Sequence, residues 1–177
     1  MQREEAIKHM TDVMAKFVAF TGKRLPDDVR AKIEELAEQE EEPLAKAIYK
    51  TMERNQELAV KLNRPSCQDT GALQFFIKCG TEFPYMAELP ELLRQAVVQA
   101  TKDAPLRHNA VETFDEYNTG KNVAKNIPSL FWDIAPGRDD CEIYTYMAGG
   151  GCSLPGHAKV LMPGEGYEGV TKFVLDV

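Results

Sequence analysis

No stretch of the 177 residues is apolar over the roughly 20 positions that a membrane-spanning helix needs. The first turns are charged and amphipathic rather than continuously apolar, which is unlike a secretory signal. Internal repeats and low-complexity linkers are also lacking. We therefore expect a cytoplasmic protein that does not enter a membrane.

The sequence has few cysteines and no excess of positive charge. The four cysteines, Cys67, Cys79, Cys141 and Cys152, lie far apart without CxxC pairing, so a disulfide framework is not expected in an intracellular protein. The net charge is −7, and no basic stripe offsets it. We therefore expect no nucleic-acid partner.

Apolar periodicity predicts a mainly helical N-terminal part. The apolar residues between positions 7 and 18 recur at helical spacing, and Gly22 is expected to end that helix. Pro26 and Pro43 each open a further helix, because a proline in the first turn removes no hydrogen bond that the helix needs. A further helix ends before Pro105. We expect the third helix to direct these residues toward the core: Leu44, Ile48, Met52, Leu58 and Leu62.

Three β-prone runs follow these helices. One covers residues 72–79, and two more cover 130–135 and 141–147, which we expect to pair as a hairpin across Arg138-Asp139-Asp140. Together with the helices they predict an α+β fold, in which a helical N-terminal region packs on a small mixed or antiparallel sheet.

A last helix is predicted to begin near Glu165. Its apolar face continues to Val177 without a cap or a C′ glycine, so we expect the sequence to end within a helix. The length suits one domain with a full core. We expect residues 1–177 to be a fragment of a longer polypeptide.

The densest group of reactive side chains lies between the N-terminal helices and the first strand. Residues 65–71 are Pro-Ser-Cys-Gln-Asp-Thr-Gly, which places a thiol, an amide, a carboxylate and a hydroxyl on one short turn. A free cysteine is usually a small buried hydrophobic residue. Gln68 and Asp69 can likewise be explained as side chains that cap the turn. The functional alternative is that Cys67 binds a metal and its neighbours face a substrate.

Five blocks, in the same order and spacing, resemble the iron–sulfur hydro-lyases, the class I fumarase and L(+)-tartrate dehydratase α-subunit family. The two-subunit tartrate dehydratases are the more similar branch, because Cys152 and the Leu-Pro-Gly after Ser153 are like their α-subunit. The blocks are residues 63–71 (Asn-Arg-Pro-Ser-Cys-Gln-Asp-Thr-Gly), 104–110 (Ala-Pro-Leu-Arg-His-Asn-Ala), 118–120 (Asn-Thr-Gly), 147–152 (Met-Ala-Gly-Gly-Gly-Cys) and 163–169 (Pro-Gly-Glu-Gly-Tyr-Glu-Gly).

The resemblance implies a [4Fe–4S] cluster held by three cysteines, with one iron open to act as a Lewis acid. Cys67 matches one ligand, and the remaining ligands are expected outside this sequence. Cys152 is left out of the ligand set because the fumarase branch has no cysteine there. Cys79 and Cys141 end or begin strands and are expected in the core.

The resemblance also implies substrate contacts. Removing water from a 2-hydroxy diacid requires loss of the α-proton and protonation of the departing hydroxide. Asp69 is the expected catalytic residue for the second proton, and Gln68 is expected to contact the substrate beside it. Arg107 would be a surface residue in isolation, but its two parallel N–H groups match a carboxylate. His108 is equally well explained as a general acid or as a hydrogen-bonded core histidine.

The glycine run at residues 149–151 lets backbone amides approach an anion closely. No lysine with serine or threonine follows at phosphate-loop spacing. We therefore expect Gly150 and Gly151 to contact a substrate carboxylate, with a plain exit from the strand as the alternative.

The function that the resemblance implies is dehydration of a 2-hydroxy dicarboxylate such as L-tartrate. One alternative is a class I fumarate hydratase component, and another is a catalytically silent fragment that only binds a partner subunit. The implied partners are the remainder of the α-subunit and a smaller β-subunit, in an oligomer.

Overall fold

The computed structural model describes residues 2–67, 69, 71–150 and 156–177. The chain forms several helices and a small mixed sheet, which confirms the predicted α+β class. The helices are α1 (Arg3–Lys23), α2 (Asp27–Gln39), α3 (Pro43–Leu62), α4 (Leu89–Asp103) and α5 (Gly166–Asp176), and the strands are β1 (Ala72–Gly80), β2 (Val111–Glu112), β3 (Tyr117–Asn118), β4 (Ser129–Ala135) and β5 (Cys141–Ala148).

The core lies between β1, α4 and α1. Alternate residues of β1 point to the helices, and Leu73, Phe75 and Ile77 are fully buried there. On α4, the residues that the helical spacing selects are all buried: Leu92, Leu93, Ala96, Val97 and Ala100. Small residues on the buried face of α1, such as Ala15 and Ala19, let this helix pack closely on α4.

β1 is the central strand of the three-stranded sheet, in the order β4-β1-β5. It pairs with β4 in parallel and with β5 antiparallel. The predicted hairpin of β4 with β5 is therefore wrong. Their connection crosses the end of β1, where the Gly80 N–H donates to the Asp140 carbonyl at 2.9 Å and the Thr81 N–H to the Ala135 carbonyl at 3.1 Å. The most apolar strand thus has both edges paired.

The prediction for α3 is wrong as well. Leu44 is 70% exposed and Ile48 54% exposed, and only Ala59 of this helix is buried. Among the other helices, α3 contacts α2 and, to a lesser extent, α1. Helical periodicity identifies an apolar face, but it does not say what covers that face.

The sheet face turned away from α1 and α4 is also apolar and exposed. Phe76 stacks on Phe131 with ring centroids 4.9 Å apart, and Tyr144 and Tyr146 lie on the same face. We call these four side chains the aromatic face. Within the described ranges, no helix is long and apolar enough to span a bilayer.

Candidate active site

The turn that carries Cys67 is anchored to two helices. Asn63 ends α3 in the left-handed conformation, at φ 52°, and its side chain donates to the Asp103 carbonyl at the end of α4 at 2.9 Å. The Ser66 N–H donates to the Gly22 carbonyl near the end of α1 at 2.9 Å. These bonds hold the turn at one end of the α1–α4 pair.

Cys67 is exposed on this turn. With Pro65, Pro105 and Arg107 it lines an open cavity of about 420 Å³. Its exposure does not match the alternative of a buried core cysteine. Pro105 follows α4 closely, so the end of that helix brings the Arg107 segment beside the cysteine turn.

A second cavity, of about 510 Å³, is lined by Asp69. Arg107 lines this cavity too, so the residue borders both cavities. The structure thereby brings four predicted site residues to one place: Cys67, Asp69, Arg107 and Gly150. The predicted substrate contacts Gln68 and Gly151 lie outside the described residues, as does Cys152.

Asp69 is held by two hydrogen bonds to one carboxylate oxygen. Its Oδ1 accepts from the Gly71 N–H at 3.1 Å and from Asn109 Nδ2 at 3.0 Å. The first bond matches the turn-capping alternative. Since Asp69 also lines the cavity, the same side chain shapes the turn and faces the site.

Gly71 is required by close approach beside Asp69. It has a φ of +78°, and a Cβ there would lie 2.2 Å from the Ala148 carbonyl. A Cβ on Gly150 would lie 3.1 Å from Asp69 Oδ2, so a side chain there would press on the carboxylate. β1 can therefore start against the end of β5 only if position 71 lacks a side chain.

His108 points elsewhere. It is exposed, which does not match the core alternative, and it lines a larger cavity of about 930 Å³ beside α4 with Lys102 and Lys121. That cavity includes none of Cys67, Asp69 or Arg107. Its size does not make it the site, because the residues that match the sequence blocks converge on the smaller cavities.

Two residues near the site were missed by the sequence analysis, Asn109 and Asn122. Asn109 binds Asp69, and its backbone N–H donates to Asn122 Oδ1 at 2.7 Å. Asn109 falls inside the block at residues 104–110, which is a signal that could have identified it. Asn122 follows the shorter block at residues 118–120, and nothing in its sequence surroundings marks it.

The thiol chemistry separates Cys67 from the two strand cysteines. Cys79 and Cys141 are directly opposite each other on β1 and β5, and Cys79 is fully buried. Burial, and secondly the neighbouring Cys79, raise the pKa of the Cys141 thiol to about 12. A neutral thiol is a poor metal ligand. The predicted core position is confirmed for Cys79, whereas Cys141 is partly buried and packs against the core.

An iron–sulfur cluster fits the site only in part. Cys67 offers the right donor, an exposed thiol at the rim of an open cavity. Among the residues that the structure describes, no group of three or more His, Cys, Asp and Glu side chains is placed to hold a metal ion. The described part of the chain thus offers one thiol to such a group.

The family model described as fumarate hydratase (Fumerase) matches residues 11–177. The L(+)-tartrate dehydratase subunit alpha of Escherichia coli (strain K12) is 53% identical over 174 residues, which cover 98% of this chain and 57% of that protein. The protein of the same name from Shigella sonnei (strain Ss046) matches equally. A putative L(+)-tartrate dehydratase subunit alpha from Methanocaldococcus jannaschii is 29% identical over 170 residues, 94% of this chain and 60% of the relative. The chain therefore spans less than two thirds of the length of these relatives.

Proposed function

The chain belongs to the fumarate hydratase (Fumerase) family, and we propose that it is part of a hydro-lyase that removes water from a 2-hydroxy dicarboxylate such as L-tartrate. The observation that carries this proposal is the convergence of Cys67, Asp69 and Arg107 on two adjoining cavities. Tartrate is preferred because the relatives with 53% identity carry its name. The second candidate is fumarate hydration, which rests only on the description of the family model and is less favoured than tartrate dehydration.

Each residue has a distinct part in the proposed reaction. The guanidinium of Arg107 binds a substrate carboxylate through two parallel N–H donors. A general base, which would come from residues outside this sequence, takes the α-proton, and the negative charge that then builds on the carboxylate strengthens this contact in the transition state. Asp69 holds the proton that the departing hydroxide takes up, and water leaves. Gly150 offers its backbone at the same cavity, and Gln68 and Gly151 remain predicted contacts.

Cys67 would supply one thiolate to a [4Fe–4S] cluster, with the other ligands from residues outside this sequence. When bound, such a cluster supplies an open iron that acts as a Lewis acid on the substrate hydroxyl. The exposed position of Cys67 at the cavity that it shares with Arg107 supports this assignment.

The proposed partners are the remainder of the α-subunit and a smaller β-subunit, in a cytoplasmic oligomer. Two observations support them. The relatives are named as alpha subunits. The aromatic face and the apolar side of α3 are exposed here, and contiguous exposed apolar surfaces mark interaction sites.

The test is Cys67→Ser in the full-length α-subunit, assembled with its partner under anaerobic conditions. We expect stable iron and sulfide incorporation to be lost, because a cluster held by two thiolates is labile. Cys141→Ser is the matched control and should keep the iron content, since Cys141 lies on β5 away from the cavities. Iron content of the Cys67 variant at the level of the unmodified enzyme would exclude the assignment. A loaded enzyme without dehydratase activity on tartrate or malate would favour the silent alternative.

A further inference from the structure

Asn122 is a buried amide whose polar atoms all have partners. Its side chain is 2% exposed, and its φ is 56°, a left-handed conformation that asparagine tolerates better than most residues. Oδ1 accepts from the Asn109 N–H at 2.7 Å, while Nδ2 donates to the Arg107 carbonyl at 2.9 Å and to Thr101 Oγ1 at 3.2 Å. A buried polar group that is fully hydrogen-bonded rigidifies its surroundings.

Thr101 ties this amide to α4. The threonine is 4% exposed, and its hydroxyl donates to the Val97 carbonyl one turn earlier at 2.7 Å. Asn122 therefore rests on a packed helix rather than on a loop. The side chain connects the helix directly to the backbone on both sides of His108.

His108 itself is held by a second asparagine. Asn118 Nδ2 donates to the His108 carbonyl at 2.7 Å, and Asn118 Oδ1 accepts from the Gly120 N–H at 2.8 Å. Three consecutive residues, 107–109, thus have a backbone group fixed by an asparagine side chain. Only Asn122 is buried, so it is the stronger of the two anchors.

The anchored segment controls two groups of the proposed site. Arg107 belongs to it directly, and Asn109 extends from it to donate to Asp69 Oδ1 at 3.0 Å. We propose that Asn122 is a positioning residue that sets Arg107, and through Asn109 also Asp69, at the site. This role rests on the proposed function. Aspartate would lose the donor to the Arg107 carbonyl, and glutamine would displace the amide by one methylene.

The first test measures the anchor without any activity. In the 177-residue chain, Asn122→Gly removes the side chain and leaves a residue that accepts positive φ. Asn126→Gly is the matched control, because Asn126 is exposed at φ 61° in the same connection. We expect the Asn109 amide to exchange its hydrogen at least about tenfold faster in the Asn122 variant only. Equal exchange rates in the two variants would overturn the anchor.

The second test uses steady-state kinetics of the assembled enzyme on tartrate and malate. Asn122→Gly should lower kcat/KM by about 10- to 100-fold at unchanged iron content, with KM raised through Arg107 and kcat lowered through Asp69. Asn126→Gly should stay within about twofold. If the glycine variant does not fold, Asn122→Asp keeps the size and the acceptor oxygen, exchanges the donor for a carboxylate oxygen, and makes the same prediction.

A double variant separates positioning from general destabilisation. The double variant Asn122→Gly with Arg107→Lys is compared with the two single variants. If Asn122 acts through the 107–109 segment, the loss of kcat/KM in the double variant should be at least about fivefold smaller than the product of the two single losses. Multiplicative effects would overturn the positioning role. An assembled enzyme that dehydrates no diacid would instead contradict the proposed function, and the exchange measurement would still decide whether Asn122 anchors the segment.

Discussion

The position of Arg107 makes it the residue on which the proposed chemistry is most directly testable. Arg107 lines both the cavity of Cys67 and the cavity of Asp69. Its backbone is fixed by Asn122 while its side chain remains exposed. A forked donor on an anchored backbone is suited to orient a carboxylate between the two groups.

Arg107→Lys keeps the charge but loses the two-pronged contact, because lysine is a point charge on a flexible stem. The loss of one charge-assisted hydrogen bond costs about 1.5–3 kcal/mol, or roughly 10- to 100-fold in kcat/KM. The measurement is steady-state kinetics of the assembled enzyme on tartrate and malate, with iron determined on the same samples. Iron content should not change.

Arg54→Lys is the control for this substitution. Arg54 is exposed on α3, pairs with Glu57 at 2.6 Å and lines neither cavity of the site. It should leave kcat/KM unchanged. If Arg107→Lys also stays within twofold of the unmodified enzyme, Arg107 is an ordinary surface residue.

The residues that sequence reasoning identified at the site are those whose chemistry is visible in a short motif. Cys67 and Asp69 share one turn, and Arg107 lies two residues after Pro105 in the block at residues 104–110. Asn122 could not be identified in this way, because an asparagine in a polar loop has the same local appearance whether it is buried or exposed. Its role depends on Thr101 and Arg107 being brought to it by the fold.

At the scale of elements, the site depends on how closely β1 and β5 approach at Gly71. The antiparallel register pairs Ala72 with Ala148, so the residue before β1 lies against the residues that end β5. Positive φ and the near carbonyl of Ala148 are two separate reasons for glycine at position 71.

Gly71→Ala and Gly137→Ala separate these two reasons. Gly137 has a φ of +72° with open space around it, so alanine there should cost only the backbone strain of about 1–2 kcal/mol. Gly71→Ala should cost the same strain and also force β5 away from the turn, so its loss of unfolding free energy should be clearly larger. Urea denaturation of the chain measures both. Equal losses would show that the approach of Ala148 is not a constraint.

The elements also show where local sequence is sufficient and where it is not. The start of α3 at Pro43 and the strand at residues 72–79 depend on near neighbours, and both were predicted correctly. The partner of β4 is not a local property. The predicted β4–β5 hairpin and the observed strand order β4-β1-β5 agree equally well with the sequence pattern. The observed order differs in that both edges of β1 are paired.

At the scale of the molecule, the chain combines a well-packed core with apolar surfaces that remain exposed. Phe75 and Leu93 are fully buried, whereas the aromatic face and much of α3 are open. α5 is similar, since Val174 and Leu175 are exposed along it. These surfaces agree with a unit that functions in a larger assembly, as the proposed function requires.

The last prediction concerns the 177-residue chain by itself. After anaerobic reconstitution and desalting, we expect it to retain fewer than four irons and to dehydrate neither tartrate nor malate. The physical reason is that a [4Fe–4S] cluster open at one iron needs three thiolates, and the described part of the chain offers only Cys67 at the site. The same chain carrying Cys67→Ser gives the background iron content, and the assembled enzyme gives the positive reference. Sustained turnover by the isolated chain would show that the remaining cluster ligands lie within these 177 residues. The proposal that Cys67 is the single cluster ligand in this sequence would then be wrong.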